Sequence, residues 1–256
     1  MAGKVALVTG GSRGIGAATV RMFRRAGARV VFSYQSAHDK ALALVDECGG
    51  EAMCCAIRQD LCSVEDGRAL VDAAVAVFGR LDCLIVNHGV WPPVDAPIAS
   101  MTAVQWHNTM SINLDSVFGL VRAGVARMLS QPVAADGLRG RIVLVASTAA
   151  QRGEAFHADY AASKGALISL TKSLSSELAG QGVQCNCVAP GWVATEMSAA
   201  ALSDPETSKR VKAVIPMGRI AHVDEVAGPI LFLCTPLAGF CSGEILNVNG
   251  GAVLIG

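Results

Sequence analysis

Short apolar runs recur along the chain with little polar alternation inside them. Such runs are typical of parallel strands buried on both faces, because helices cover each side of the sheet and no polar face survives. We predict strands in KVALVTG, ARVVFSY, CCAIRQD, LDCLIVNHG, GRIVLVAS, VQCNCVAPG and EILNVNGG.

Helical patterns separate these runs, at 14–26, 38–48, 63–79, 102–130, 158–180 and 224–234. Alternation of strand and helix implies right-handed βαβ units joined in one sheet. The predicted fold class is therefore α/β: a doubly wound (Rossmann) fold with a seven-stranded parallel sheet flanked by helices. No linker divides the chain and no repeat of fixed period appears, so we predict a single domain over 1–256.

Residues 191–220 interrupt the alternation of strand and helix. This segment is rich in small and polar residues and contains Pro205 and Pro216. It follows the carboxyl end of a predicted strand, which is where open α/β sheets bind their ligands. We therefore expect it to form a substrate lid.

Composition and charge favour a folded enzyme with a small-molecule partner. The 256 residues are 52% hydrophobic and 16% charged, which is enough to build a large core. The 21 basic and 21 acidic residues cancel, without a run of like charges. This pattern argues against nucleic acid or an anionic membrane as the partner.

The cysteines predict neither a disulfide framework nor a metal site. The chain has nine of them, an odd number, without CxxC or histidine-containing ligand spacing. We expect reduced thiols and a cytoplasmic protein. The apolar run at the N-terminus is too short for a signal peptide, and no apolar window predicts a membrane span.

The first strand runs into TGGSRGIG, which predicts a dinucleotide-binding turn. Gly10 permits the tight turn, Gly14 leaves room for a phosphate, and Gly16 lets the helix pack on the strand. The helix N-terminus then favours the pyrophosphate charge. Because glycine-rich turns occur in many folds, the motif depends on its strand–turn–helix context. The predicted cofactor-binding residues here are Gly10, Ser12, Arg13, Gly14, Ile15 and Gly16.

The end of the second strand indicates which dinucleotide binds. A carboxylate there would bind a ribose 2′-hydroxyl and repel a 2′-phosphate. This chain has Ser33 and Tyr34 there, and the nearest acid is Asp39. Arg13 offers a planar cation for the phosphate, although a solvated loop arginine is an equal reading. We favour NADP, with NAD as the alternative.

Two further strand ends supply candidate contacts to the adenosine half of the cofactor. Asp60 and Leu61 follow the third strand, and Asn87 and Gly89 follow the fourth. The Asp60 carboxylate is suited to accept a hydrogen bond from an adenine amino group. Each residue by itself is equally suited to a turn or a cap.

Ser147, Tyr160 and Lys164 form the candidate catalytic group. Ser147 ends the fifth strand, and Tyr160 and Lys164 lie four residues apart at the start of the next helix, on one face. A free tyrosine has a pKa near ~10, and a fixed cation beside it lowers that value by stabilising the phenolate. We therefore expect Lys164 to make Tyr160 a usable acid and base.

These motifs together resemble the short-chain dehydrogenase/reductase family, most like the 3-oxoacyl-acyl-carrier-protein reductases, over essentially the whole chain. The matching pieces are TGGSRGIG at 9–16, Asp60, NHG at 87–89, Asn113, Ser147, YAASK at 160–164 and PGWVAT at 190–195.

The resemblance implies a role for each matched residue. Tyr160 would donate the proton in ketone reduction, Ser147 would polarise the carbonyl, and Lys164 would hold the nicotinamide ribose. Asn113 would hold a water that links the lysine to solvent. Thr195, with the backbone of Val193, would anchor the nicotinamide carboxamide, and Pro190 and Gly191 of the same segment would also contact the cofactor. Family members commonly form tetramers through the helices at 102–130 and 158–180, so a homotetramer is expected.

The chain departs from the family pattern at His88, where a small residue is usual. For His88 and His157 we favour a structural role. Side chains flanking the predicted site either shape specificity or fill surface loops, namely Trp91, Gln151, Arg152, Phe156 and His157.

Three functions remain open from sequence. The first is an NADP(H)-dependent oxidoreductase that reduces a ketone reversibly, with a 3-oxoacyl thioester as one possible substrate. The second is an NAD-dependent dehydrogenase of a sugar, a steroid or another secondary alcohol. The third is a dinucleotide-binding regulator without turnover, which the intact Asn, Ser, Tyr and Lys set argues against.

Overall fold

A computed structural model describes residues 1–255 of the chain. Seven strands form one parallel sheet, as predicted. Their order in the sheet is β3-β2-β1-β4-β5-β6-β7. The strands are β1 Val5–Val8, β2 Arg29–Tyr34, β3 Cys54–Arg58, β4 Cys83–Val86, β5 Gly140–Val145, β6 Val183–Pro190 and β7 Ile245–Val248.

Helices cover both faces of the sheet. They are α1 Gly14–Arg25, α2 His38–Glu47, α3 Val64–Phe78, α4 Ala103–Met110, α5 Ser116–Leu129, α6 Ala149–Arg152, α7 Ala158–Leu178, α8 Glu196–Ser203, α9 Pro205–Ala213 and α10 Val223–Leu233. Helices α1 and α10 pack together on one face, and α3 packs on α5 on the other.

The core lies in two layers because both faces of the sheet are covered. Every residue of β1, β4, β5 and β6 is buried. Phe23, Phe32 and Ile230 belong to one layer, and Leu70 and Leu120 belong to the other. Burial on both faces explains why these strands read as continuous apolar runs.

The predicted helix at 102–130 is divided in the structure. A π-helical turn at Ser111–Asp115 separates α4 from α5. The predicted lid segment contains two short helices, α8 and α9. Thr195 precedes α8, and Asp204 and Pro205 begin α9 with a cap and a proline at its first position.

None of the helices described within residues 1–255 combines the length and the apolar character needed to cross a bilayer. All nine cysteines are free thiols.

Candidate active site

The carboxyl ends of the strands meet at one edge of the sheet. The strand order reverses between β1 and β4, and a crevice forms outside such a switch point in open α/β sheets. The glycine-rich turn follows β1 and the NHG segment follows β4. Ser147 follows β5, two residues beyond its end.

The glycine-rich turn is shaped to bring backbone close to a ligand. Gly10 and Gly14 have φ values of +64° and +54°, which glycine adopts readily. A Cβ at Gly16 would lie 2.1 Å from the Gly10 carbonyl oxygen, so no larger residue fits there. Helix α1 begins without a side-chain cap and without an acid in its first turn. Its free N–H groups therefore fit the diphosphate of a dinucleotide.

Two residues predicted to touch the cofactor, Ser33 on β2 and Asn87 after β4, also hold the turn in shape. Asn87 Nδ2 donates to the carbonyl oxygens of Thr9 and Gly10, at 3.0 and 3.3 Å. Ser33 Oγ accepts from the Gly10 N–H at 3.2 Å and is buried. The Tyr34 hydroxyl meets His38 Nδ1 at 2.7 Å. The side chains of Ser33 and Tyr34 thus make hydrogen bonds within the protein, to the glycine-rich turn and to α2, and the sequence did not reveal these contacts.

Beside the turn, Arg13 shares a carboxylate with a second cation, Lys40, and sequence reasoning missed both Lys40 and the carboxylate of Glu196. Arg13 Nη1 lies 3.1 Å from Glu196 Oε2, and Lys40 Nζ pairs with the other oxygen of Glu196. These groups line a cleft of about 720 Å³ between the turn, α1, α2 and α8. Both cations lower the pKa of the Glu196 carboxyl through hydrogen bonds and charge. Lys40 and Glu196 belong to no motif, and they are 156 residues apart, so only the fold brings them together.

At the end of β3, Asp60 is exposed and accepts hydrogen bonds from Gln35 Nε2 at 2.9 Å and from the Cys62 thiol at 3.2 Å. Leu61 is buried beneath it. Asp60 therefore lies at the sheet edge expected for an adenine contact.

Ser147, Tyr160 and Lys164 come together at the end of β5. Tyr160 lies in the first turn of α7 and Lys164 lies one turn further on, both buried. Lys164 Nζ donates to the Val145 carbonyl at 2.9 Å, which fixes the ammonium to the strand that leads to Ser147. Within residues 1–255 this carbonyl is the one hydrogen-bond acceptor of the ammonium, so two of its three donors are available to a ligand.

The pKa of Tyr160 departs from the expected direction. Burial raises the pKa of the Tyr160 phenol, and the hydrogen bond with Ser147 opposes that rise. Lys164 is not among the groups that shift the pKa of Tyr160, and burial lowers the pKa of its own ammonium to about 8. Desolvation of both groups therefore outweighs the charge effect that the four-residue spacing predicted.

Asn113 lies in the π-helical turn, where its amide is held on three sides. Its Oδ1 accepts from the Val90 N–H at 2.8 Å, and its Nδ2 donates to the Val90 carbonyl at 3.0 Å and to Ser163 Oγ at 3.1 Å. One lone pair of Oδ1 remains, which is compatible with the expected water. A Cβ at Gly89 would lie 3.1 Å from this Oδ1 and 3.1 Å from Lys164 Nζ.

Asp159 is a buried residue of this region that the sequence analysis missed. Its carboxylate accepts from the Tyr160 N–H at 2.9 Å, from Thr109 Oγ1 at 2.8 Å and from Gln105 Nε2 at 3.1 Å. It thereby ties the start of α7 to α4 directly beside Tyr160. Its position next to the YAASK motif was the available signal.

His88 links the glycine turn to the π-helical turn. Its Nδ1 lies 2.8 Å from Thr9 Oγ1, and its Nε2 lies 2.8 Å from Ser116 Oγ and 3.2 Å from the Ile112 carbonyl. Because a carbonyl only accepts, Nε2 carries the proton. Burial, and then the charge of Lys164, lowers the pKa of His88 to about 3. These contacts give His88 a structural setting, as favoured from sequence.

Most of the side chains that flank the predicted site contact other side chains, whereas Phe156 is exposed. Trp91 stacks on His157 with ring centroids 3.9 Å apart. Gln151 Nε2 donates to Asn247 Oδ1 at 2.6 Å, and Arg152 pairs with Glu154 at 2.6 Å. Phe156 is exposed and has a φ of 65°.

The 190–195 segment returns to the glycine turn. The Pro190 carbonyl at the end of β6 accepts from the Thr148 N–H at 2.9 Å. A Cβ at Gly191 would lie 3.0 Å from Asn249 Cα, and Val193 bridges to Ala221. Thr195 approaches the turn, since a Cβ on Gly14 would lie 3.3 Å from its Cγ2. Thr195, at the end of the predicted 190–195 contact segment, therefore lies beside Gly14 of the glycine-rich turn.

Comparisons with known proteins agree with this geometry. A family model described as enoyl-(acyl carrier protein) reductase matches residues 10–253. An L-rhamnose 1-dehydrogenase (NAD(P)(+)) of Azotobacter vinelandii is 36% identical and covers 97% of this chain and 96% of its own. A 3-oxoacyl-[acyl-carrier-protein] reductase of Synechocystis is 35% identical and covers 98% and 97%.

Among solved structures, a blue fluorescent protein from a metagenomic library in complex with NADPH superposes with a TM-score of 0.88 and 35% identity, covering 99% of each chain. Fold, crevice and relatives together define an NAD(P)-dependent oxidoreductase. The chain belongs to the short-chain dehydrogenase/reductase family that its motifs resemble.

Proposed function

We propose that this protein interconverts a ketone and a secondary alcohol with NADP(H), and that Tyr160 exchanges the proton. The observation that carries the proposal is the convergence of Ser147, Tyr160 and Lys164 at the end of β5, beside the glycine-rich turn. A regulator without turnover would not need to bring a buried phenol, a buried amine and a hydroxyl together.

Each residue of the group has one task in the reduction. The Tyr160 phenol donates its proton to the carbonyl oxygen, while the Ser147 hydroxyl donates a hydrogen bond to the same oxygen as negative charge develops there. The free donors of Lys164 hold the nicotinamide ribose, and Asn113 holds a water that leads back to solvent. Bound NADPH supplies the hydride. In alcohol oxidation the Tyr160 oxygen takes the proton back.

The remaining contacts to the cofactor follow from position. Its diphosphate would lie against residues 10–16, its adenine near Asp60 and Leu61, and its ribose near Asn87 and Gly89. Its carboxamide would lie near Thr195 and the backbone of 190–193. These placements rest on the sheet edge that all the residues share.

The preference for NADP rests on charge. No acid ends β2, whereas Arg13 and Lys40 converge beside it on one carboxylate. A 2′-phosphate suits the same cations. The NADPH bound to the similar metagenomic protein supports this choice. Titration of the protein with NADPH and NADH tests it, and tighter binding of NADH would contradict it.

The substrate is proposed only as a class. The rhamnose dehydrogenase and the oxoacyl reductase are almost equally similar to this chain, at 36% and 35% identity. A sugar and a 3-oxoacyl thioester therefore both stay in the panel of substrates, with the sugar screened as an alcohol by reduction of NADP⁺ and the thioester screened as a ketone by oxidation of NADPH.

Tyr160→Phe tests the function. Loss of the phenolic proton is expected to lower kcat for ketone reduction by about 10²–10⁴-fold while NADPH still binds. Tyr34→Phe is the comparison variant, because Tyr34 is the other tyrosine of the chain and lies on β2 away from Ser147; as a predicted cofactor contact it should change NADPH affinity at most and leave kcat at saturating NADPH as in the wild type. Equal rates for wild type and Tyr160→Phe across the panel would refute the mechanism.

The single domain over 1–256, the lid at 191–220, the homotetramer and the cytoplasmic location also stay proposals. The bridge of Val193 to Ala221 supports a lid, because it ties the two ends of the segment together. Sedimentation as a monomer at micromolar concentration would refute the tetramer.

A further inference from the structure

Two loops beside Tyr160 are joined to each other. Residues 91–97 follow β4, and residues 153–157 lead into α7. The Ala96 N–H donates to the Phe156 carbonyl at 2.9 Å, and His157 Nε2 lies 3.0 Å from the Pro92 carbonyl. Because that carbonyl only accepts, His157 donates through Nε2. The His157 ring is buried, so its position is fixed.

Trp91 lies between His157 and the candidate catalytic tyrosine. Its ring is stacked on the His157 ring, with centroids 3.9 Å apart and planes 19° apart. It meets the Tyr160 ring at 4.7 Å and 72°, the edge-to-face arrangement that aromatic pairs favour. The three rings thus form a continuous row of aromatic contacts, stacked between His157 and Trp91 and edge-to-face between Trp91 and the Tyr160 phenol.

We propose that Trp91, braced by His157, is a positioning residue that fixes the Tyr160 ring and keeps water from one side of it. This inference rests on the proposed function, because it assigns Trp91 a task only if Tyr160 transfers the proton. Trp91 does not touch the reacting oxygen in this scheme. It sets the orientation and the desolvation of the residue that does.

The charged and titratable groups around the phenol make this role measurable. Lys164 lies one turn along α7, Glu154 and His157 lie on the loop before it, and Asp159 accepts from the Tyr160 N–H. Burial is the largest influence on the phenol and raises its pKa, while the charge of Glu154 adds to the rise. If Trp91 supplies part of that burial, its removal must lower the pKa of Tyr160.

The chain has two tyrosines, so each can be followed by ¹³Cζ-tyrosine NMR, and Tyr34→Phe assigns the signals. We expect the pKa of Tyr160 to fall in Trp91→Phe and to fall further in Trp91→Ala, towards the ordinary value near ~10. His157→Ala should lower it as well, because Trp91 then loses its brace. The ¹³Cζ signal of Tyr34, whose hydroxyl contacts His38, is the internal control and should have the same chemical shift at neutral pH in every variant.

Kinetics give a second readout. Trp91→Ala should lower kcat by about tenfold or more while KM changes less, since a loosely held proton donor affects the transition state above all. Trp91→Phe should recover part of the loss. If Trp91→Ala does not fold, Trp91→Phe and His157→Ala decide the question.

An unchanged Tyr160 pKa in every variant that folds would overturn the positioning role. That result is separable from failure of the proposed function. If Tyr160→Phe still reduces ketones, the function fails whatever Trp91 does. If Tyr160→Phe is inactive and the pKa does not respond to Trp91 or His157, only the present inference fails.

Discussion

At Gly89 the missing side chain decides how closely the catalytic groups approach. A Cβ there would lie 3.1 Å from both Lys164 Nζ and Asn113 Oδ1. Neither atom can move away easily, because the Lys164 ammonium is hydrogen-bonded to the Val145 carbonyl and the Asn113 amide oxygen to the Val90 N–H. Gly89 therefore lets one amine and one amide meet at a single point of the backbone.

We expect Gly89→Ala to displace the Lys164 ammonium. Displacement of the ammonium should lower kcat/KM by about tenfold or more and weaken NADPH binding, because Lys164 would no longer contact the nicotinamide ribose. Steady-state kinetics and a binding titration would measure both effects.

Gly228→Ala is the matched control for Gly89→Ala. Gly228 lies inside α10, and apart from its chain neighbours and the backbone of α10 a Cβ there would meet no atom within 4 Å. Because Pro229 follows, a Cβ at residue 228 crowds the proline ring and offsets the gain in helix propensity, so we expect little change in stability and unchanged kinetics. Similar kinetic losses in both variants would show that the tight contact at Gly89 is unimportant.

At the scale of residues, the sequence predicts which side chains come together better than it predicts how their surroundings change their chemistry. Spacing along a strand and a helix was enough to bring Ser147, Tyr160 and Lys164 together. The raised pKa of Tyr160 was not predictable, because desolvation depends on neighbours such as Trp91, 69 residues earlier in the chain. The inward contacts of Ser33 and Tyr34 depend likewise on the turn and α2.

At the scale of elements, the strands were predicted well because β1, β4, β5 and β6 are buried on both faces and leave plain apolar runs. The division of the 102–130 helix was not. Its hydrophobic pattern continues across Ser111–Asp115, while the π-helical turn is held by contacts from elsewhere, including His88 to the Ile112 carbonyl and Asn113 to Val90. Hydrophobic periodicity carries no trace of such tertiary hydrogen bonds.

The ion pairs between the start of α8 and the glycine turn predict an effect on cofactor choice. Glu196 pairs with Arg13 through one carboxylate oxygen and with Lys40 through the other. Glu196→Gln should tighten NADPH binding by about two- to fivefold, the range expected of exposed pairs, because both cations become free for the 2′-phosphate. NADH affinity should stay the same, and added salt should shrink the difference. Fluorescence titrations with both cofactors would measure this.

Glu206→Gln controls for loss of a negative charge in the same segment. Glu206 lies in the first turn of α9, and none of the ion pairs found within residues 1–255 includes it. It should bind both cofactors as wild type does. A Glu196→Gln protein with unchanged NADPH affinity would mean that Glu196 does not compete with the phosphate.

At the scale of the whole molecule, the order of strands followed from rules of chain connection rather than from any one residue. Right-handed crossovers and helices on both faces leave few arrangements for seven parallel strands. The observed order places the glycine turn, the NHG segment and Ser147 on one edge. What holds these neighbours together is polar and non-local, and His88 is the residue that joins two of them.

His88 should make the stability of the whole molecule depend on pH. Its folded pKa of about 3 lies below the ordinary value of 6.5, so the unfolded chain takes up the proton first as the pH falls. The stability from neutral His88 is therefore complete above pH 6.5 and is lost progressively towards pH 3. By about pH 5 the loss should reach about 2 kcal/mol.

His88→Ala should show a flatter pH dependence than the wild type. At about pH 8 it should be less stable by about 1–3 kcal/mol, since Thr9 and Ser116 lose a buried partner. Urea unfolding from about pH 8 to pH 5, at one protein concentration, would measure both quantities, and exposed His107→Ala should follow the wild type throughout. A constant difference between wild type and His88→Ala at every pH would mean that His88 accepts its proton in the folded state as readily as in the unfolded chain. The link between the glycine turn and the π-helical turn would then not depend on a neutral ring.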